Sequence, residues 1–306
     1  MKEAGHVDTR LDVRKTYKLY LGGAFPRSES GRVYEIRSAG GEFLANAAMG
    51  SRKDARDAVV AARKAFAGWS AATAYNRGQV LYRVAEVMEG RRAQFTDEVA
   101  RAEGLDGAAS ARVVDAAIDR WVWYAGWTDK VAQVAGAVNP VAGPYFNLSV
   151  PEPTGVVVAL APQASSLLGL VSVVAPVVAG GNTCVVVASQ TRPLPAVTLA
   201  EVLATSDVPG GVVNVLTGVT GELAPWLASH EDVDALDLAG SAGADGVDWG
   251  ALEAAAGATL TRVVRPAGDG PASQGGTEPD WSAPPPGPAR ILAFTEIKTV
   301  WHPKGR

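Results

Sequence analysis

The 306-residue sequence contains a single cysteine, Cys184, and only three histidines. One thiol cannot form a disulfide within the chain, and it excludes a cysteine-rich zinc site. His6, His230 and His302 have no ligand spacing, so we expect no metal site. Cys184 stands in the apolar run 183–187. That run predicts a buried strand, in which the thiol is a small hydrophobe and not a nucleophile.

An excess of positive charge and long apolar runs are missing as well. The net charge is -4 and the pI about 5.5, so no basic field attracts nucleic acid or an anionic membrane, and we expect neither as a partner. The longest apolar stretch, 167–179, is too short to span a bilayer. The first residues mix charges and do not resemble a secretory signal. The cytoplasm is therefore the expected compartment.

Alternating short elements dominate the sequence from residue 155 onward. Solid β-branched runs predict strands at 156–160, 183–187, 212–215, 235–238 and 260–264, with helical patterns between them. Such strands indicate a parallel sheet covered on both faces. The fold class is therefore α/β, with a doubly wound, mostly parallel, Rossmann-like sheet.

Helical patterns precede this region. Ser51 is a predicted N-cap with Asp54 three residues later, and further helical patterns run over 76–104, ending at Gly104, and over 111–134. The tryptophan cluster of the last pattern is predicted to be core or interface. Near the start, 17–25 reads as a strand entering a glycine turn, with 33–36 as its return strand.

The composition divides the chain into four parts. A polar tail covers 1–14, a doubly wound domain of the nucleotide-binding type 15–265, a linker 266–288, and a short β element 289–306. The linker has seven prolines and five glycines in 23 residues, which predicts a semi-extended segment. The last part carries a predicted strand over 291–301, and that strand needs a sheet to join.

Several motifs together resemble the aldehyde dehydrogenase superfamily. They include Tyr20-Leu21-Gly22-Gly23, the blocks 58–69, 76–83, 124–130 and 151–156, Gly180-Gly181-Asn182-Thr183, the block 209–218 and the final strand 294–301. Chains of that family are usually about 500 residues long. The resemblance therefore implies a truncated member, in which the 266–288 linker stands where the family has its catalytic domain.

The resemblance also implies that the catalytic groups are missing. No family cysteine maps onto this sequence. Where the family has Pro-Trp-Asn-Phe-Pro, whose asparagine stabilises an oxyanion, the sequence has Ala164 at the asparagine position. Arg265 begins the segment that stands in place of the Glu-Leu-Gly-Gly motif with its general base. We therefore expect no catalytic residue, because nucleophile, base and oxyanion donor are all absent.

Cofactor binding is left open by the sequence. Gly240-Ser241 matches the family's Thr-Gly-Ser turn at the start of a phosphate-facing helix, with Ala239 in place of the threonine. Such a turn is also common where no ligand binds. Gly221 matches a further cofactor-side glycine, and Ser189 lies near Val187, which replaces a ribose-binding lysine. NAD binding is therefore predicted to be weak or lost, with Ser189, Gly221, Gly240 and Ser241 as its candidate residues.

Two functions follow from the resemblance. The first is a non-catalytic subunit, structural or regulatory, in a homo-oligomer or in an oligomer with a full-length aldehyde dehydrogenase. This hypothesis rests on the strands 145–150 and 291–301, which resemble the family's intersubunit sheet and make 289–306 an expected oligomerisation element. We expect the second strand to pair with the sheet of another chain. The alternative is an NAD(P)-dependent oxidoreductase acting on aldehydes, with its chemistry completed by a partner subunit.

Overall fold

A computed structural model of the chain describes residues 15–242, 244–266, 278–285 and 287–305. Three sequence predictions fall outside these ranges. They concern the 1–14 tail, most of the 266–288 linker, and residues 267–268 of the lost motif. In the described residues, three sheets and ten helices follow one another along the chain.

The first sheet differs from the sequence prediction. Its strands are β1 (Thr16–Tyr17), β2 (Val33–Arg37) and β3 (Phe43–Ala48), in the order β1-β3-β2. β2 is therefore not the return strand of β1, because both strands pair with β3, which the sequence did not reveal. Residues 18–25 are mostly turn and loop, and Gly22 and Gly23 both have positive φ.

Five helices come next, in the region where the sequence showed three helical patterns, and the pattern over 111–134 is divided between the last two helices. They are α1 (Arg52–Ala71), α2 (Ala74–Gly90), α3 (Arg92–Glu103), α4 (Gly107–Trp127) and the short α5 (Val131–Ala135). Ser51 and Asp54 form a reciprocal capping box on α1. Gly104 ends α3 in the left-handed conformation, with φ of 72°. Trp121 of α4 is fully buried, as predicted for core.

The parallel sheet confirms the predicted fold class. Its five strands are β6 (Val156–Leu160), β7 (Thr183–Val187), β8 (Val213–Leu216), β9 (Ala235–Asp237) and β10 (Arg262–Val264), in the order β10-β9-β6-β7-β8. The intervening helices are α6 (Leu168–Ala179), α7 (Leu194–Leu203), α8 (Thr220–Ala228) and α9 (Trp249–Gly257). Every residue of β6, β7, β8 and α6 is buried. Apolar side chains on both faces therefore form the core.

A third sheet contains β4 (Ala137–Val138), β5 (Tyr145–Pro153) and β11 (Thr295–Pro303), in the order β11-β5-β4. β11 runs antiparallel to β5 of its own chain, from Thr295 opposite Pro153 to Pro303 opposite Tyr145. This pairing within the chain differs from the expectation that the strand joins the sheet of another chain. β11 lies at the margin of the sheet, and its outer edge has no partner strand in the described residues.

The first residues of the predicted last strand form a helix and not a strand. Residues 289–292 form the helix α10 (Ala289–Leu292), and Ile291 and Phe294 are fully buried in the core. Asn182 holds this segment, since its side-chain amide donates to Phe294 O at 2.9 Å while its Oδ1 accepts from the backbone of Gly155 at 2.9 Å. The strand is therefore anchored to the parallel sheet before it begins.

Candidate active site

The cysteine lies on an internal strand of the parallel sheet. Cys184 is on β7, in register with Val157 of β6 and Val213 of β8, and its side chain is fully buried. Burial raises the pKa of its thiol well above the usual range, and the nearby charge of Asp237 adds to the shift. The thiol stays protonated and out of contact with solvent. The prediction of a buried structural cysteine is confirmed.

The carboxyl ends of β6 and β7 carry a network of hydrogen bonds around Gln163. Its side-chain amide donates to Ala161 O at 3.1 Å, and its Oε1 accepts from the backbone of Gln190 at 2.9 Å. The hydroxyl of Ser189 donates to Gln163 O at 3.0 Å and accepts from the backbone of Arg192 at 3.2 Å. Ser189 is buried, and both roles of its hydroxyl are satisfied inside the protein.

The positions named in the sequence analysis as lost polar groups lie around this edge. Ala164 offers only its backbone, and its carbonyl accepts from the Arg192 guanidinium at 2.5 Å. Val187 is the last residue of β7 and is fully buried. Arg265 follows β10, and its guanidinium pairs with Glu253 of α9 at 2.6 Å. None of these side chains is a general base.

The Gly240-Ser241 turn follows β9 but does not begin a helix. The prediction that it stands at a helix N-terminus is wrong, because the next helix, α9, starts at Trp249. The hydroxyl of Ser241 donates to Leu238 O at 2.8 Å. A Cβ on Gly240 would approach Leu160 O to 2.5 Å and the nitrogen of Pro162 to 2.6 Å. Glycine at this position therefore lets two backbone segments pack together.

Two helix N-termini at this edge have hydrogen-bond acceptors from the protein. On α9, the Asp248 carboxylate accepts from the backbone of Gly250 at 3.0 Å and of Ala251 at 3.1 Å. On α8, the backbone of Thr220 donates to Gln190 Oε1 at 3.3 Å. Both helix starts thus bind side chains of this chain in the place where an anion would bind.

Gly221 lines a cleft of about 140 Å³ between α8 and α9. The walls are mostly apolar, with Pro225 on α8 and Leu252 on α9 among them. A Cβ on Gly221 would come within 2.9 Å of Gly246 O, so glycine allows the loop before α9 to pack closely. Gly221 and the Gly240-Ser241 turn therefore have different roles. Gly221 lines a cleft, whereas Gly240 allows close backbone packing.

Two features of the region escaped the sequence analysis. Asp237, the last residue of β9, is fully buried and pairs with Arg290 of α10. Arg120 of α4 is only 7% exposed, and its guanidinium donates to Trp281 O at 2.9 Å and Ala283 O at 2.7 Å. The prediction of a semi-extended linker over 266–288 did not indicate these contacts. A tryptophan inside a proline-rich segment was the one available signal, because Trp281 is a large apolar group that packs on the core.

Comparison with known proteins shows the same family along most of the chain. The family model described as the aldehyde dehydrogenase family matches residues 25–263. The chain belongs to the aldehyde dehydrogenase family. Mouse cytosolic 10-formyltetrahydrofolate dehydrogenase is 33% identical over 244 residues, which are 76% of this chain and 26% of the mouse protein. A putative aldehyde dehydrogenase of Bacillus subtilis is 33% identical over 245 residues, covering 77% of this chain and 48% of that protein.

Solved aldehyde dehydrogenases share the fold. The NAD+ complex of the Bacillus cereus enzyme superposes with a TM-score of 0.75 at 24% identity, covering 81% of this chain and 50% of that one. The chain thus spans from about a quarter to about half the length of the relatives it matches. Members of the aldehyde dehydrogenase family generally form oligomers.

The described parts of the chain offer neither a membrane-spanning helix nor a cluster suited to a metal ion. No helix there is long and apolar enough to cross a membrane. Across the same ranges, no group of three or more histidine, cysteine or acidic side chains is arranged to hold a metal ion.

Proposed function

We propose that this chain is a non-catalytic aldehyde dehydrogenase-like subunit with a structural or regulatory role in an oligomer. The observation that carries the proposal is the position of Cys184, the only cysteine of the sequence, which is fully buried on the internal strand β7 and has a raised thiol pKa. A thiol must be ionised and reachable to attack an aldehyde carbonyl. No other side chain in the described residues takes its place beside a base and an oxyanion donor.

Weak or lost NAD binding belongs to the same proposal. The pyrophosphate of a dinucleotide needs backbone donors or cations at the carboxyl edge of the sheet. Here the Ser189 and Ser241 hydroxyls both donate to backbone carbonyls, and the start of α9 holds the Asp248 carboxylate. A negative charge at that helix start repels a pyrophosphate. The residues present do not fit the cofactor.

Assembly is supported by the third sheet. Register places Phe146, Leu148 and Val150 of β5 on the same face as Val300 of β11, and all four are exposed. A row of apolar side chains on an exposed sheet face is a common protein–protein contact. The partner is a second copy of this chain or a full-length family member. β11 already pairs with β5 along one edge, which leaves this apolar face and the outer edge of β11 for contact with a partner.

One observation favours the alternative of a cofactor-binding oxidoreductase completed by a partner. The α8–α9 cleft beside Gly221, about 140 Å³ in volume, is apolar enough for a flat ring system. The cleft alone supplies no donor for phosphate. The cytoplasm is part of the proposal only through the single unpaired thiol, which suits a reducing compartment.

The test is an assay of the purified chain with a panel of aliphatic and aromatic aldehydes and NAD+. We expect no NADH above the rate without protein. Steady NADH formation that Cys184→Ala abolishes would overturn the proposal. A separate calorimetric titration with NAD+ distinguishes the alternative, which requires binding even where the chain alone shows no turnover.

A further inference from the structure

A small cavity lies where residues 279–285 and 287–290 cross α4 and α6. Its volume is about 130 Å³, and its walls include Arg120, Tyr124 and Ser172 from the helices and Trp281, Pro285 and Arg290 from the crossing segment. An engineered protein cavity of about 150 Å³ holds benzene. The space therefore suits a ligand of a few heavy atoms.

Arg120 is a buried cation without a carboxylate partner. Its guanidinium donates to the hydroxyl of Ser172 and to the carbonyls of Trp281 and Ala283, all of which are neutral groups. In the described residues, no carboxylate lies within ion-pair distance of it. Burial, and to a smaller extent the charge of Arg290, lowers the pKa of Arg120. A buried charge that is compensated only by neutral acceptors favours the arrival of a counter-ion.

Arg290 provides a second cation with an unused donor. One end of its guanidinium pairs with the buried carboxylate of Asp237, while its Nε is buried and has no hydrogen-bond partner among the described residues. Its charge lies 5.8 Å from the centre of the Trp281 ring. An unmade hydrogen bond of a buried charged donor costs free energy that a ligand oxygen can recover.

The acidic side chains near the cavity form no ion pair with Arg120, although the charge of Asp280 attracts it through space. Asp280 is exposed, and one of its oxygens accepts from the backbone and the hydroxyl of Ser282 at 2.9 and 2.6 Å. Glu278 accepts from the indole of Trp281 at 3.1 Å. Asp237 is already paired with Arg290. Water screens the Asp280 charge, whereas the two guanidinium groups face a largely apolar space.

We propose that this cavity binds a small monocarboxylate, with its two oxygens on the guanidinium groups of Arg120 and Arg290 and its apolar tail against Trp281. Guanidinium groups match the planar, two-oxygen geometry of a carboxylate. Tyr124 lines the cavity, and its hydroxyl, which is protonated at neutral pH, is a further donor. The proline and tryptophan walls favour an apolar tail over a second charge.

The experiment titrates the full chain with butyrate by ligand-observed NMR at constant ionic strength. The neutral butyramide and inorganic phosphate are the matched probes. We expect butyrate to bind at least tenfold more tightly than butyramide and more tightly than phosphate. Equal binding of butyrate and butyramide, or no binding of butyrate, overturns the proposal. Tighter binding of phosphate than of butyrate overturns the assignment to a carboxylate.

Two variants locate the site. Arg120→Gln removes the unpaired cation, and we expect at least a tenfold loss of butyrate affinity. Arg290→Lys keeps a cation beside Asp237 but removes the free Nε donor, so it tests the cavity even if Arg120→Gln does not fold. We expect it to weaken butyrate severalfold. Arg83→Gln, an exposed arginine paired with Glu86 on α2, is the control and leaves the affinity unchanged. Unchanged binding in folded Arg120→Gln or in Arg290→Lys contradicts the proposed site.

Discussion

The Asp248 carboxylate accepts a hydrogen bond from the backbone of Gly250 at 3.0 Å and thereby caps α9 with a negative charge. A helix N-terminus attracts anions through its free N–H groups and its dipole. Here the chain itself supplies the anion. The helix that would have met a cofactor phosphate in the sequence-based prediction is thus closed to it by one side chain.

Replacing that carboxylate should reveal whether it excludes the cofactor. Asp248→Ser keeps a hydroxyl cap on α9 but removes the charge. We expect no measurable NAD+ binding to the unaltered chain at submillimolar concentrations in calorimetry, and detectable, weaker-than-micromolar binding to Asp248→Ser. Asp245→Ser, which removes a carboxylate from the same loop without touching the cap, is the control. A micromolar dissociation constant for the unaltered chain would contradict weak or lost binding.

Cys184→Ala tests the structural role of the thiol. The substitution leaves a small cavity beside strand β7, so we expect the free energy of unfolding to fall by about 1 kcal/mol. Urea unfolding followed by circular dichroism measures the change. A loss of several kcal/mol, or none, would show that the site is packed differently from the structure.

Assembly should depend on the exposed face of the third sheet. Leu148→Lys combined with Val300→Lys places two charges at paired positions on that face. Because like charges cannot be buried in an apolar contact, we expect a smaller particle in size-exclusion chromatography with light scattering. Val60→Lys replaces an exposed valine of α1 and controls for surface charge. If the double variant keeps the mass of the unaltered chain, this face is not the assembly surface.

Glu98 should make stability depend on pH. Its Oε1 accepts from Thr198 at 2.8 Å, Gln94 at 3.1 Å and Tyr17 at 3.3 Å, whereas its Oε2 has no partner among the described residues. Burial is the largest cause of its raised pKa. The stabilising contribution of the protonated form is complete below the unfolded pKa of about 4.3 and is lost as pH rises through the folded pKa.

Glu98→Gln removes that titration. We expect the variant to gain stability relative to the unaltered chain as pH rises above about 4.3, in urea unfolding measured at several pH values. Glu86→Gln changes an exposed carboxylate of α2 and controls for the lost charge. A difference between Glu98→Gln and the unaltered chain that stays constant with pH would contradict a buried, proton-binding Glu98.

The parallel sheet was predictable because its strands β6 and β7 are unbroken apolar runs rich in valine. Val156 to Leu160 and Thr183 to Val187 were predicted to the residue. The strand β3 was not found, since Phe43–Ala48 is rich in alanine and lacks alternation. Ile291 was placed on a strand because the short helix α10 has too few residues to show a helical period.

The candidate site was less predictable, because it depends on contacts between distant segments. The motif at Gly240-Ser241 suggested a helix start. In the structure, the hydroxyl of Ser241 instead donates to Leu238 O within a turn. Arg120 lies 161 residues from Trp281 in sequence, so no local pattern predicts their contact. The same holds for Arg290 and Asp237, whose pairing joins α10 to β9.

The most direct measurement for the whole account is maleimide labelling of Cys184 in the native protein, followed by mass spectrometry. Because the thiol is fully buried and its pKa is raised, we predict no labelling over hours under native conditions and complete labelling within minutes in urea. Stoichiometric labelling of the native chain at the rate of a free thiol would contradict a structural cysteine. The proposal of a non-catalytic subunit would then lose the observation that carries it.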